Sequence, residues 1–516
     1  MDHVPIQASL TAAKNYSFAE LCSKIYTIYA YNGFGAKNPQ PHNLFMELAD
    51  ICPQSGGRSP TFMEAMNIIE SFRISFNEQR ELMMQAAQFF TNSNNEIYDA
   101  YLPLALGAGI INPDNEPRMM TYVLEKYEPF DDILFKKLGF HIKRLLKVVR
   151  FVELMMGSIV GDRFDSNDQY NEMRRGGSKH YDHEWEIPPT KFHSIIREAL
   201  TVNVEEDYCS LTPESRNALD FLTGDQSNFG TNDYSFRRWA FLNLGNGCRM
   251  VLYPNSMVNT LLTAVQIGLL SITDFKEKGR FLQQIGKHFE KMVKDCLSSY
   301  LPTASITLNK KYPGQLSDTD LEVIANDNFH ILVQCKSILP VQRVILDDQR
   351  SFADFYRKNV LEGAKQAEDS VNHHPDPQAV KAIFIVLDTY LPGLLTLQGL
   401  GMETSIFVNR LPTMIPMDYF GFRYLIHTIP IAELQEYLEW RSNAVQAKIK
   451  FTYDEYDMVR FYLRVKEEGL VKIFKDLFTM EHDMEISHTM SHIGYDPEWE
   501  SNDYTSIDLK LGVFSV

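Results

Sequence analysis

Asp320-Leu-Glu-Val-Ile-Ala325, Asn326-Asp-Asn328 and His330-Ile-Leu-Val-Gln-Cys-Lys336 read as two strands joined by a tight turn. β-branched and large apolar residues fill both runs, and the Asn/Asp triplet between them suits a hairpin. Alternation along a strand places Asp320 and Glu322 on one face, and it places Gln334 and Lys336 together on one face of the second strand. Pairing the two strands brings Asp320 to the Gln334 and Lys336 end. Upstream, Phe281 to Tyr300 carries Ile285, Phe289, Met292, Val293, Cys296 and Leu297 at helical spacing. Ser305 to Leu308 is a further extended segment, Phe352 to Val371 a second amphipathic helix, and Ala382 to Leu387 an apolar run typical of a strand buried on both faces. Helix, strands, helix, strand is the order of an α/β core.

A carboxylate beside a carbonyl oxygen is a hard-oxygen site, suited to Mg²⁺ or Mn²⁺. Such an ion neutralises a phosphate oxygen and acidifies a bound water. A neighbouring lysine orients or deprotonates that water, or stabilises developing charge. Glu290, on the preceding helix, supplies another oxygen. Asp320, Gln334, Lys336 and Glu290 are therefore the candidate catalytic residues for phosphodiester hydrolysis.

Gly286-Lys-His-Phe-Glu290, Asp320-Leu-Glu-Val and Gln334-Cys-Lys336 together resemble the restriction-endonuclease-like PD-(D/E)xK nuclease superfamily. The likeness covers roughly residues 281–390. It implies a mixed central sheet flanked by helices, with Asp320, Gln334 and Glu290 as metal ligands and Lys336 as the catalytic lysine. Thr319 stands where the motif's proline is usual, and Gln334 replaces the second carboxylate, as in the Mrr-like branch. An amide is a weaker ligand than a carboxylate, and Glu322 is a candidate to compensate. Gln366 is followed at the spacing of the RecB-like Gln-x-x-x-Tyr by Ser370, which argues against that branch. The rival expectation is a catalytically inactive protein that keeps this fold as a nucleic-acid-binding or partner-binding scaffold.

The rest of the chain reads as α+β or α/β with a largely helical first half. Four parts are expected: a helical domain over 1–160, a linker and mixed accessory region over 161–280, the nuclease-like domain over 281–440, and a helical extension with an acidic tail over 441–516. Ser59 and Pro60 read as the start of a helix over Thr61 to Phe76, and Leu242-Asn-Leu-Gly-Asn-Gly247 as a hairpin. Lys136 to Arg150 reads as one basic amphipathic helix, with Lys143, Arg144 and Lys147 as phosphate-contacting candidates. Arg237 and Arg238, between Phe236 and Trp239, combine charge with aromatic faces and suit a single strand. The pairs His488/His492 and His180/His183 are expected to be ordinary surface histidines.

Length, 516 residues, suggests roughly two to four domains. A formal net charge of −17 argues against indiscriminate polyphosphate binding but leaves room for a local basic groove. The six scattered cysteines include no C-x-x-C pair, which excludes a zinc ribbon and a thioredoxin-type site. No secretory signal or membrane-length apolar run is visible, so a cytoplasmic protein is expected. The expected partners are nucleic acid, DNA ahead of RNA, and a protein partner or a second copy through the helical first half. By analogy with large proteins that carry such a core beside a helical region, the resemblance implies an effector role in bacterial anti-phage defence.

Overall fold

The computed structural model describes residues 10–31, 41–53, 56–88, 116–163, 193–194, 197, 201–203, 212–228, 239–245, 247–251, 265, 275–337, 349–388, 391, 394, 397, 402–411, 413–446 and 455–467. It is mixed α/β, with two mixed sheets and no barrel among the described residues. Two compact units divide the described residues: those up to 85 and from 116 to 265 form one, and those from 275 to 467 the other.

The first unit holds helices α1 (Phe18–Tyr31), α2 (Pro41–Ile51), α3 (Phe62–Gln88), α4 (Glu116–Tyr127), α5 (Asp131–Leu138), α6 (Ile142–Arg163) and α7 (Pro213–Phe221). Its sheet joins β1 (Thr201–Asn203), β2 (Thr223–Gly224), β3 (Phe241–Gly245) and β4 (Cys248–Val251) in the order β1-β4-β3-β2. β3 and β4 form the expected hairpin, with Gly245 at φ 79° and Gly247 at φ 77°. Helix α3 starts two residues later than Ser59 and Pro60 suggest. Its cap is Thr61, whose hydroxyl accepts from the Glu64 amide (3.2 Å) while the Glu64 carboxylate accepts from the Thr61 amide (2.7 Å).

The basic run 136–150 is two helices rather than one. Gly139 takes φ 78° and ends α5, and its N–H closes on the Phe135 carbonyl. Asp131 then caps the new start from a distance, accepting from the Ile142 amide at 2.6 Å. The buried side of α6 is Ile142, Leu145, Leu146, Val149 and Val152.

The second unit begins with α8 (Phe275–Tyr300), followed by β5 (Ser305–Lys310), β6 (Thr319–Asn326) and β7 (Phe329–Lys336). Helices α9 (Gln349–Tyr356) and α10 (Glu362–His373) are joined by a π-helical turn over Arg357–Leu361, and β8 (Val380–Leu387) and β9 (Met414–Asp418) complete the sheet. Helices α11 (Tyr419–Thr428), α12 (Ile431–Gln446) and α13 (Glu455–Glu467) close the unit. The sheet order is β5-β6-β7-β8-β9; the first three strands are antiparallel, and β7, β8 and β9 are parallel. Expected boundaries after residues 160, 280 and 440 each fall inside a helix (α6, α8 and α12). The expected helix to Phe478 is described only to Glu467, and the tail from Glu481, His488 and His492 lies outside the described residues.

Phe281, Ile285, Phe289, Met292, Val293 and Leu297 form the buried stripe of α8. Tyr419 of α11 meets Phe289, and Phe422 of α11 meets Phe384 of β8, so α8 and α11 share one side of the sheet. Helix α10 covers the other side, where Gly363, Ala364 and Ala367 let it approach closely. A Cβ on Gly363 would come within 3.1 Å of Lys336 Cε and 3.2 Å of Ile385 Cγ2. Helix backbone, with no side chain between, therefore lies against the stem of Lys336. Among the described residues no helix is long and apolar enough to cross a membrane.

Candidate active site

Leu321 pairs with Val333 in the β6–β7 ladder, which sets Asp320 opposite Gln334. Asp320 is partly buried, and its Oδ2 accepts from the Cys335 amide at 2.6 Å. Gln334 is only 1% exposed, and its Nε2 donates to the Asp318 carbonyl at 3.3 Å. That leaves Oε1 as the amide end accepting no hydrogen bond from a described residue. Lys336 follows on the same face, and its Nζ donates to Gln366 Oε1 on α10 at 2.6 Å. The Lys336 carbonyl accepts from the Asp388 amide at the end of β8, and the Ser337 hydroxyl donates to the Asp388 carboxylate at 2.6 Å.

Glu290 stands beside Phe289 on α8, near enough for the charges of Asp320, Asp318 and Lys336 to act on it. Burial, then the negative charges of Asp320 and Asp318, push its carboxyl up to about 7, against the opposing pull of Lys287 and Lys336. Asp320 is raised too, mainly by burial, while the Cys335 amide and Lys336 pull the other way. Burial pushes the neighbouring Cys335 thiol well up, which keeps it un-ionised and unreactive. Carboxylates that resist joint ionisation are what a cation site looks like before the cation enters. Asp320 and Glu290 carboxylates and the Gln334 amide offer only oxygen donors, the type that suits Mg²⁺ or Mn²⁺ rather than the softer ions that prefer thiolate or imidazole.

Asp320, Gln334 and Lys336 thus share one end of the β6–β7 pair, and Glu290 lies within electrostatic reach of Asp320 and Lys336. Two further residues join them: Asp318, which the sequence does not single out and whose charge acts on both acids, and Gln366, which holds the lysine. Gln366 was legible only as half of a motif whose tyrosine is absent. Its partner position, Ser370, is fully buried and bonds to Gln315 and Thr319 at 2.7 Å each.

Glu322 does not join this group, although it shares the face of Asp320. Its buried carboxylate accepts from the Tyr312 hydroxyl at 2.5 Å, pairs with His374 Nε2 at 3.3 Å and lies 3.7 Å from Lys310 Nζ. His330 Nδ1 is 3.2 Å from the same His374 nitrogen. The Asp376 amide donates to His374 Nδ1 at 3.0 Å, so a neutral His374 carries its hydrogen on Nε2 and turns it toward Glu322.

The expected nucleic-acid contacts belong to the first unit or lie outside the described residues. Lys143 pairs with Glu128 at 2.9 Å and Arg144 with Glu214 at 3.5 Å. Lys147 is partly buried on the same helix and is also engaged. Exposed pairs of this kind are worth about 0–1 kcal/mol, little enough for a phosphate to displace the partner. Arg237, Arg238, His180 and His183 lie outside the described residues.

No protein-family model, no curated protein and no solved structure matches the chain. The functional reading therefore stands on residues and geometry.

Proposed function

We propose that the chain is a metal-dependent nuclease with a PD-(D/E)xK-like core, hydrolysing phosphodiester bonds of DNA or RNA. The observation that carries this is the meeting of a raised Asp320, a raised Glu290, a buried Gln334 with its amide oxygen open, and a tethered Lys336 at one end of β6 and β7. The element order α8-β5-β6-β7-α10-β8, with β7 and β8 parallel, agrees with the core that the resemblance implies.

Asp320, Gln334 and Glu290 would hold Mg²⁺ or Mn²⁺, which supplies charge neutralisation at the phosphate and a more acidic water. Lys336, fixed by Gln366, orients the attacking water or donates to the phosphate oxygen as negative charge builds. Lys143, Arg144 and Lys147 would contribute phosphate contacts. A helical first unit would select the target or bind a partner or second copy, as in a defence effector.

Incubating the purified full chain with plasmid, linear DNA and RNA, with Mg²⁺, Mn²⁺ or EDTA, tests this. Cleavage of one of these substrates with a divalent ion and none in EDTA is expected. Retention of nucleic acid without any cleavage would instead favour the scaffold alternative.

A further inference from the structure

We infer that Glu322, His330 and His374 form a second metal site, for Zn²⁺, separate from the oxygen-donor site at Asp320. Their ligand atoms all lie within 4.8 Å of one another. His330 Nδ1 and His374 Nε2 are 3.2 Å apart, and His374 Nε2 and Glu322 Oε1 are 3.3 Å apart. A tetrahedral zinc with ligands at about 2.0–2.1 Å has its ligand atoms about 3.3–3.4 Å apart. The donor types also sort the two sites. Two imidazoles and one carboxylate suit zinc, whereas Asp320, Glu290 and Gln334 offer only oxygen.

The surroundings support the ligands. The Tyr312 hydroxyl donates to Glu322, and Lys310 faces the second carboxylate oxygen, the kind of outer partners that orient a metal-bound carboxylate. His374 and Glu322 are nearly fully buried and His330 is partly exposed, so water reaches the fourth corner from the His330 side. The ion would tie the C-terminal end of α10, through His374, to the hairpin strands β6 and β7, through Glu322 and His330. It would brace the helix that carries Gln366 to Lys336.

Binding has one defined cost. Zinc at Nε2 moves the His374 hydrogen to Nδ1, where it meets the Asp376 N–H donor to donor, so the Asp376 turn must shift to let water accept from both. Asp376 is exposed, so water is at hand. Three protein ligands gained outweigh one turn hydrogen bond lost to solvent.

The test uses the full chain stripped with EDTA and dialysed free of it. Zn²⁺ is titrated against a chromophoric chelator, and Co²⁺ is then added to a separate sample for its visible spectrum. The expected result is tight zinc binding and the intense cobalt bands of a four-coordinate site. His330→Gln and His374→Gln should each weaken zinc at least tenfold, while Asp320→Asn leaves it unchanged. Equal zinc affinity in wild type and His330→Gln overturns the inference, as does loss of zinc in Asp320→Asn, which would put the ion in the other site. Should buried His374→Gln fail to fold, partly exposed His330→Gln and the wild-type cobalt spectrum still decide. Cleavage is not read, so the outcome is independent of the nuclease proposal.

Discussion

Two polar clusters sit one strand step apart on β6 and β7, and they handle buried charge in opposite ways. At Asp320 the acids are short of partners: Asp318, Asp320 and Glu290 repel one another, and the titration of Glu290 moves up to about 7. At Glu322 the carboxylate is satisfied by Tyr312, His374 and Lys310. The two carboxylates are two residues apart, about 7 Å along a strand, and share a face. What differs is what the covering elements bring. His374, just past the end of α10, sits against Glu322, whereas α10 offers only the neutral Gln366 to Lys336. The Asp320 cluster lacks neutralising partners of its own, whereas the Glu322 carboxylate already has an imidazole and a lysine beside it, the two imidazoles being what suits that cluster to a softer ion.

The strongest way to break this contrast is to take the divalent ion away. EDTA should abolish cleavage entirely, and added Mg²⁺ or Mn²⁺ should restore it, read by loss of supercoiled plasmid or of labelled RNA. Full cleavage in chelator would remove the reason for the Asp320 cluster's repulsion. Next in size is Lys336→Ala, which should slow cleavage by roughly 10²-fold or more while circular dichroism stays native. An unchanged rate would move the chemistry elsewhere.

Gln334 sharpens the comparison, because it sets the number of charges at the site. Gln334→Glu adds a carboxylate opposite Asp320, so half-maximal cleavage should come at severalfold lower Mg²⁺. Without metal the same change removes the donor to the Asp318 carbonyl and adds repulsion, so the melting temperature should fall. Gln334→Leu should weaken metal binding. Equal Mg²⁺ affinity by calorimetry in all three proteins would take Gln334 out of the ligand set.

The smallest effect is a pH slope. Glu290 titrates at about 7 when folded against an ordinary 4.5, so between those values the folded chain holds a proton that the unfolded chain has released. Metal-free stability therefore falls as pH rises through that window, and Mg²⁺ should offset the fall. Glu290→Gln should flatten the decline in melting temperature between about pH 5 and about pH 8. A slope identical to wild type would show that Glu290 is not the strained acid.

The sheet was largely legible because its strands are written in simple alternation or in runs such as Ala-Ile-Phe-Ile-Val-Leu387, and α8 in a clean 3.6 repeat. β9 escaped notice. Met414-Ile-Pro-Met-Asp418 is short and carries Pro416, which argues against a strand until the topology is known. β9 is the edge strand, paired only to β8, so the missing Pro416 N–H leaves no ladder partner unmet. The break at Gly139 was hidden because Leu138 and Ile142 continue the apolar spacing, while the cap that stabilises the new helix start comes from Asp131. Among the site residues, Asp320, Gln334, Lys336 and Glu290 were readable from position on their elements. Asp318, Gln366 and His374 were not, since each matters only through a neighbour distant in sequence.

The π-helical turn at Arg357–Leu361 decides which neighbours those are. A π turn holds one residue more than an α turn, and each residue advances a helix by about 100°. Phe355 and Tyr356 before the turn and Gly363, Ala364 and Ala367 after it are all buried, so the extra residue brings two differently phased stretches of one helix onto the core. Deleting Asn359 would put both stretches back on a single phase. Either the Tyr356 side or the Gly363–Gln366 side would then turn from its place, and a loss of one residue well away from Lys336 in sequence would act on the lysine as directly as a change at Gln366.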